Sequence, residues 1–308
     1  DLPDNHKFHL DCFGQQGAGK NQERAKTAFE SKSQEIFNKM REVFGEKVDR
    51  ILVCAGVGGG TGGGSLETLV DISKRYFTYI GKEKANERVG VVASLPTTGE
   101  CASPVVAKNS HNRMTVLSIG AANGDFAPLI IVDNDKIKKL YPQLTVKQFW
   151  PTLNNTVAGL FHIFNVLATK NSNYTAFDPA DYDTIMKTKG CMIFGVTTVK
   201  NVENETSVSY ALKQNLEKTL LASGFDLTTA EGAASIVVGG TRQYEEIPGL
   251  MDSIEYGFDT LAAITGGAII HRGIYEDSSK DKLVAYTIVG GLDAPEKRLE
   301  DLKKFLTI

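Results

Sequence analysis

Gly56-Val57-Gly58-Gly59-Gly60-Thr61-Gly62-Gly63-Gly64 decides the fold of this chain. The apolar stretch Ile51-Leu52-Val53-Cys54-Ala55 precedes it, and Ser65-Leu66-Glu67-Thr68-Leu69-Val70-Asp71-Ile72 follows with apolar residues at helical spacing. The order is strand, glycine loop, helix start. Glycine lets the backbone turn until several N–H groups converge, and a helix start adds partial positive charge at the same point. Such a cradle suits phosphate. A structural turn alone does not need seven glycines in nine residues.

Outward from this run, strands and helices alternate. Lys7 to Cys12 reads as a short strand, followed by a loop from Phe13 to Asn21. A long helix is expected from about Gln22 to Phe44, with Ala25, Ala28, Phe29, Ile36, Phe37, Met40 and Phe44 near helical spacing. Further strands are expected at Arg50 to Ala55, Arg88 to Leu95 and Leu129 to Val132, with a helix from Pro104 to Ser118. This alternation implies a mostly parallel sheet covered on both faces. Pro151 reads as the opening of a helix running to Thr169 that is apolar on most sides, as a helix buried between two domains would be. Beyond it, strands at Met192 to Val199, Ser235 to Val238, Ala268 to His271 and Lys282 to Val289 alternate with helices at Thr206 to Ala222 and Tyr244 to Phe258. The expected fold is therefore α/β: a parallel-sheet nucleotide-binding domain over 1–144, a long central helix over 145–170 and a smaller mixed-sheet α/β domain over 171–293. A C-terminal helix over 294–308 starts behind Pro295, where proline favours a first turn.

Composition narrows the function. With 308 residues and 42% apolar content the chain can bury a large core. A net charge of -3 disfavours a nucleic-acid surface built on bulk electrostatics. The sequence holds neither an apolar run of about 18 residues nor a signal-peptide pattern at its start. Cys12, Cys54, Cys101 and Cys191 lack metal-site spacing and read as reduced thiols of a cytosolic protein, with Cys54 in a buried strand. The five histidines show no paired ligand spacing, so no metal-ligating cluster is expected.

Two familiar loop readings compete and each lacks parts. Gly58-x-Gly60-x-x-Gly63 matches the dinucleotide fingerprint, but the next strand ends in Ser94-Leu95-Pro96 without the acid that would hold a ribose. Gly14-Gln15-Gln16-Gly17-Ala18-Gly19-Lys20-Asn21 matches a P-loop up to its lysine, then offers Asn21 where a hydroxyl should reach Mg²⁺. No aspartate ends the strand Ile51 to Ala55 to hold that metal, and Lys20 also reads as a plain solvated loop lysine.

Joined, the two loops resemble the tubulin/FtsZ superfamily of filament-forming GTPases. Gly58 to Gly64 is similar to that family's GGGTG(S/T)G signature, and Gly17-Ala18-Gly19 to its preceding phosphate loop. Leu95-Pro96-Thr97-Thr98-Gly99-Glu100, Val132-Asp133-Asn134-Asp135 and Phe177-Asp178-Pro179-Ala180-Asp181 continue the resemblance in order, in details nearest to the plasmid and phage TubZ branch. The resemblance implies that Gly17, Ala18, Gly19, Gly58, Gly59, Gly60, Thr61, Gly62 and Gly63 cradle the phosphates of GTP or GDP, with Mg²⁺ bridging them. Glu100 then matches a ribose position, Asn134 a guanine or sugar contact, and Asn154 or Asn155 a base-reading residue; helix or turn capping is the alternative for these asparagines.

Asp178 and Asp181 carry two readings. With Pro179 at the first helical position, Asp178 is an N-cap and Asp181 the third helical residue, which is sufficient as a structural role. The resemblance makes the same loop catalytic, inserted into the nucleotide site of the next subunit to orient water for phosphoryl transfer. It implies head-to-tail homopolymers with assembly-activated hydrolysis, serving plasmid or phage DNA segregation through an adaptor, or cell division. The rival expectation is a structural filament protein that binds nucleotide with little hydrolysis. The family's first strand and first glycine-rich loop are not seen before Lys7, which favours that rival.

Overall fold

The computed structural model describes residues 2–10, 17–218 and 221–306. Cys12 and the Gly14-Gln15-Gln16 part of the P-loop pattern lie outside the described residues. The chain divides into two compact units, Asp1–Asp135 with Glu296–Ile308, and Lys136–Pro295.

In the first unit, α1 (Gln22–Ser31) and α2 (Ser33–Phe44) lead into β1 (Ile51–Gly56), α3 (Gly60–Tyr79), the short α4 (Ala85–Arg88), β2 (Val89–Leu95), the short α5 (Thr98–Cys101), α6 (Pro104–Asn123) and β3 (Leu129–Asp133). The strands pair β1–β2–β3, all parallel, with Ile51 opposite Val89 and Val91 opposite Leu129. β3 is buried throughout and β2 nearly so, as a parallel sheet covered on both faces requires.

Four expectations change here. Lys7 to Leu10 form no strand; Leu10 instead packs beside Ile36, Phe37, Ile72 and Tyr76. The helix expected over Gln22 to Phe44 breaks at Lys32, directly after Ser31, whose hydroxyl donates back to the Ala28 carbonyl at 2.8 Å. Cys54 is exposed rather than buried, although it sits in β1. Helix α3 begins at Gly60, inside the glycine run, so most of the signature is already the start of the helix.

The second unit starts within α7 (Asn134–Leu140) and continues through α8 (Val146–Thr169), α9 (Pro179–Met186), β4 (Cys191–Thr198), α10 (Ser207–Glu217), β5 (Gly232–Gly239), α11 (Thr241–Glu246), α12 (Leu250–Ile264), β6 (Ile269–Glu276) and β7 (Val284–Leu292). Its strands are ordered β4–β7–β5–β6; β7 is antiparallel to both neighbours and β5–β6 is parallel. Val208 and Leu212 of α10 and Ile254 and Phe258 of α12 pack with Val237, Ile274 and Ala285 from the sheet. A separate aromatic cluster sets Phe164 of α8 against Phe194 of β4 at 5.5 Å and stacks it on Tyr182 of α9 at 6.2 Å. The last helix, α13 (Glu296–Lys303), belongs to the first unit.

Pro151 does not open the central helix. α8 starts five residues earlier, where the Thr145 N–H and hydroxyl both donate to Gln148 Oε1, at 3.2 and 2.9 Å, and it carries Pro151 inside. Nor is α8 buried on most sides. Leu153, Leu160, Phe164, Leu167 and Ala168 form one buried stripe, while Ala158 and Val166 are exposed and Ile163 is half-buried. No helix among the described residues is long and apolar enough to cross a membrane. Burial pushes the Cys191 thiol up to about 12 and also raises Cys101, so neither is poised as a nucleophile.

Candidate functional site

The glycine cradle is built in the first unit from two loops held in contact. Gly17 and Gly19 have φ of 75° and 57°, and Lys20 continues at 64°, so the backbone turns left-handed up to Asn21. Asn21 then caps α1 by accepting from the Arg24 N–H at 2.9 Å. This loop lies directly against the start of α3: a Cβ on Gly60 would stand 2.8 Å from the Asn21 nitrogen. Only glycine permits that approach.

Side chains the sequence reading passed over fasten the two loops together. Gln22 Nε2 donates to the carbonyls of Val57 at 2.8 Å and Gly59 at 3.1 Å. Asn109 of α6 donates to the carbonyls of Lys20 at 2.8 Å and Gly58 at 3.3 Å. Beneath them the buried Arg113 guanidinium bonds Glu67, which Lys26 also meets at 3.1 Å. Burial alone would push the Glu67 carboxyl up, but the two cations beside it hold it below the usual carboxylate range. No spacing in the sequence announces these partners, because the contacts join three different helices, α1, α3 and α6.

The cradle opens at Gly59. This residue is exposed, precedes the first turn of α3, and has no side chain with which to cap it. The first N–H groups of the helix therefore have no N-cap acceptor, and space for a Cβ at Gly59 is empty to 4 Å. An uncapped helix start facing open space fits an anionic group such as a phosphate. Thr61, in that first turn, is exposed beside it.

The remaining nucleotide candidates lie as follows. Glu100 closes a capping box on α5: its Oε2 accepts from the Thr97 N–H at 2.8 Å and hydroxyl at 2.9 Å. Asn134 is 6% exposed, and its Oδ1 is buried without a hydrogen-bond partner among the described residues. Its neighbours are engaged. Asp135 accepts from the Thr98 N–H at 2.9 Å, and Asp133 receives Arg298 of α13 at 2.7 and 3.1 Å. Burial works against the Arg298 charge, but Asp133 outweighs it and raises the guanidinium pKa. Asn154 and Asn155 sit on the exposed side of α8, in the second unit. Both lie inside the helix, which removes the capping alternative for them.

The acidic loop belongs to the second unit and is a helix cap in detail. Asp178 Oδ1 accepts from the N–H groups of Ala180 at 2.8 Å and Asp181 at 2.9 Å, and Asp181 Oδ2 accepts from the Asp178 N–H at 3.2 Å. Pro179 occupies the first turn. Strand β6 fastens the loop along its length. The Ile274 N–H donates to the Thr175 carbonyl at 2.8 Å, and the buried Tyr275 hydroxyl both accepts from the Phe177 N–H, at 2.8 Å, and donates to the Phe177 carbonyl, at 3.0 Å. Phe177 itself is fully buried beside Phe164. From the same strand, His271 Nδ1 lies 2.7 Å from Asp181 Oδ1. Burial first, then the two nearby carboxylates, raise the Tyr275 pKa, so the phenol stays neutral. Among the described residues no group of three or more His, Cys, Asp or Glu forms a metal cage.

Residues 175–296 match the family model described as the tubulin-like protein TubZ, C-terminal domain. The chain is 23% identical over 225 residues to the tubulin-like protein TubZ of Bacillus cereus, covering 70% of this chain and 48% of that protein. It is 27% identical over 260 residues to cell division protein FtsZ 2 of Halobacterium salinarum, covering 83% and 58% respectively. It thus spans only about half the length of these relatives. The crystal structure of a GTPγS-form protofilament of TubZ from Bacillus thuringiensis serovar israelensis superimposes with a TM-score of 0.81 at 17% identity, over 99% of this chain and 78% of that one. Glycine cradle, capped acidic loop and relatives agree: residues 175–296 carry the TubZ C-terminal domain pattern, and the chain as a whole is similar to TubZ and FtsZ proteins and shares their fold.

Proposed function

We propose that this chain is a GTP-hydrolysing subunit of a head-to-tail filament, and that its active site is completed between copies. One subunit holds the phosphates of GTP in the backbone N–H groups of Gly58 to Gly63 and of the Gly17-Ala18-Gly19 loop. The next contributes Asp178 and Asp181. The observation that carries this reading is the acidic loop: two carboxylates, Asp178 exposed and Asp181 half-buried, fixed on one turn and far better restrained than a surface turn requires. Restraint matters because phosphoryl transfer to water depends on positioning and charge stabilisation rather than covalent catalysis. Mg²⁺ would be bound together with the nucleotide rather than by a protein cage, and would supply charge neutralisation at the phosphates. The TubZ relative was solved as a GTPγS-form protofilament, which supports both the nucleotide and the polymer.

Repeated head-to-tail contact that does not close generates a filament, and a site split across it makes hydrolysis follow assembly. Glu100, Asn134 and Asn154 or Asn155 are proposed to read the sugar and base. By resemblance to TubZ and FtsZ, the polymer would move plasmid or phage DNA through an adaptor, or act in division. Phosphate release measured against protein concentration, with GTP, GDP and ATP, tests the proposal. Turnover per subunit should rise steeply above a threshold with GTP only, and Asp181→Ala should form longer-lived polymers that hydrolyse slowly. Flat turnover across the threshold would instead leave a nucleotide-binding structural filament.

A further inference from the structure

Asp181 is held at both oxygens, and only one holder comes from its own helix cap. Oδ2 accepts from the Asp178 N–H at 3.2 Å; Oδ1 lies 2.7 Å from His271 Nδ1, contributed by β6 from 90 residues further along the chain. The pair is largely shielded, with His271 18% and Asp181 28% exposed. An ionised carboxylate can only accept, so the proton between them resides on Nδ1. That fixes the ring, with Nδ1–H pointing at Asp181.

We propose that His271 is the positioning residue of the acidic loop, aiming Asp181 through the Nδ1–Oδ1 contact. The inference rests on the hydrolytic reading of Asp178 and Asp181. His271 holds Oδ1 in place and leaves both carboxylates available to orient water. The other polar groups around it do not replace it. Asp178 is on the same loop, and the Tyr275 hydroxyl is tied to the Phe177 backbone. Arg272, adjacent on β6 and so directed to the opposite face, is paired with Glu255 and Asp259 of α12. Ala234, opposite His271 on β5, carries no charge.

The test is phosphate release per sedimented subunit across a range of GTP concentrations, for the wild type, His271→Ala, His271→Asn and Asp181→Asn. His271→Ala should lose about tenfold or more in turnover with KM for GTP unchanged, the scale expected when a reacting group is slightly misplaced. His271→Asn, which restores a donor near the Nδ1 position, should recover most of that loss. Full turnover in His271→Ala, or no recovery in His271→Asn, overturns the role of His271. Full turnover in Asp181→Asn overturns the acidic-pair reading itself, so the two failures are separable. Should His271→Ala not sediment, His271→Asn still decides: turnover near the wild type supports the role, and turnover as low as that of Asp181→Asn overturns it.

Discussion

In the cradle, Gly58 to Gly63 offer backbone N–H groups and keep side chains away; in the acidic loop, Asp178 and Asp181 offer side chains and the backbone merely caps them. The two regions are held by correspondingly different means. Cradle geometry depends on atoms that are absent: at Gly60 and Gly64 a single methyl group would collide with the preceding loop and helix. Loop geometry depends on atoms that are present, the Tyr275 hydroxyl and His271 ring reaching across from β6. A site built from missing atoms fails by overpacking, whereas one built from side chains fails by loss of partners. Substitutions that add to the first and subtract from the second test this contrast.

The largest loss of stability is expected from adding a methyl group where the cradle is tightest. In Gly64→Ala the new Cβ would stand 2.3 Å from the Gln22 carbonyl oxygen and 2.7 Å from Ala25 Cβ. Alanine favours a helix interior over glycine by about 1 kcal/mol, yet the collision is with backbone, which has no rotamer to change. A net destabilisation of about 3 kcal/mol is expected, at the upper end for overpacking, together with displacement of Gln22 and loss of nucleotide binding. Urea denaturation and nucleotide titration measure the two effects. An unaltered midpoint would mean that the glycines are not there for packing, and the contrast would collapse.

Subtraction from the loop should cost somewhat less. Tyr275→Phe removes one oxygen and leaves the Phe177 N–H and carbonyl without the partner each now has, in a fully buried place. An unmet buried polar group costs on the order of 1–3 kcal/mol, so the two together, each at the lower end of that range, give about 2 kcal/mol. Because the loss is local, amide exchange at Phe177 should accelerate by about 30-fold. The cradle, in the other unit, should bind nucleotide as before. Slowed or unchanged exchange at Phe177 would show that β6 does not secure the loop.

How much of this was legible in the sequence follows the same division. The glycine run reads directly, because seven glycines in nine residues have few other uses. The Asp178-Pro179-Ala180-Asp181 cap also reads directly, since every contact in it lies within three residues. Helix boundaries were less legible: the Thr145–Gln148 cap outweighs the start signal of Pro151, and Ser31 interrupts an apolar periodicity that continues through it. Invisible were contacts between distant segments, such as His271 with Asp181 and Arg298 with Asp133 across 165 residues. Those pairs are chosen by strand order and helix packing, and a single sequence carries no periodicity that records either. The apolar breadth of α8 misled for a related reason, as exposed Ala158 and Val166 are ordinary on a helix surface.

The smallest effect on stability should accompany the most selective loss of binding. Gly59, at the mouth of the cradle, has a backbone ordinary for any residue, with φ of -82° and ψ of 167°, and is the one glycine of the run 56–64 with open space for a side chain. A Cβ there meets nothing within 4 Å. Gly59→Ala should therefore cost only a few tenths of a kcal/mol, the difference between glycine and alanine at an N-cap. In a unit of this size that shifts the Tm by about 2 °C or less. The added methyl nevertheless occupies the space in front of the uncapped α3 start, where in the proposed reading a phosphate oxygen approaches the N–H groups closely. A tenfold or greater loss of nucleotide affinity, read by fluorescence titration beside an unchanged melting curve, would separate the cradle's binding role from its packing role. Affinity equal to the wild type would place the phosphates elsewhere, because no rearrangement that preserves the fold can move that methyl out of the mouth.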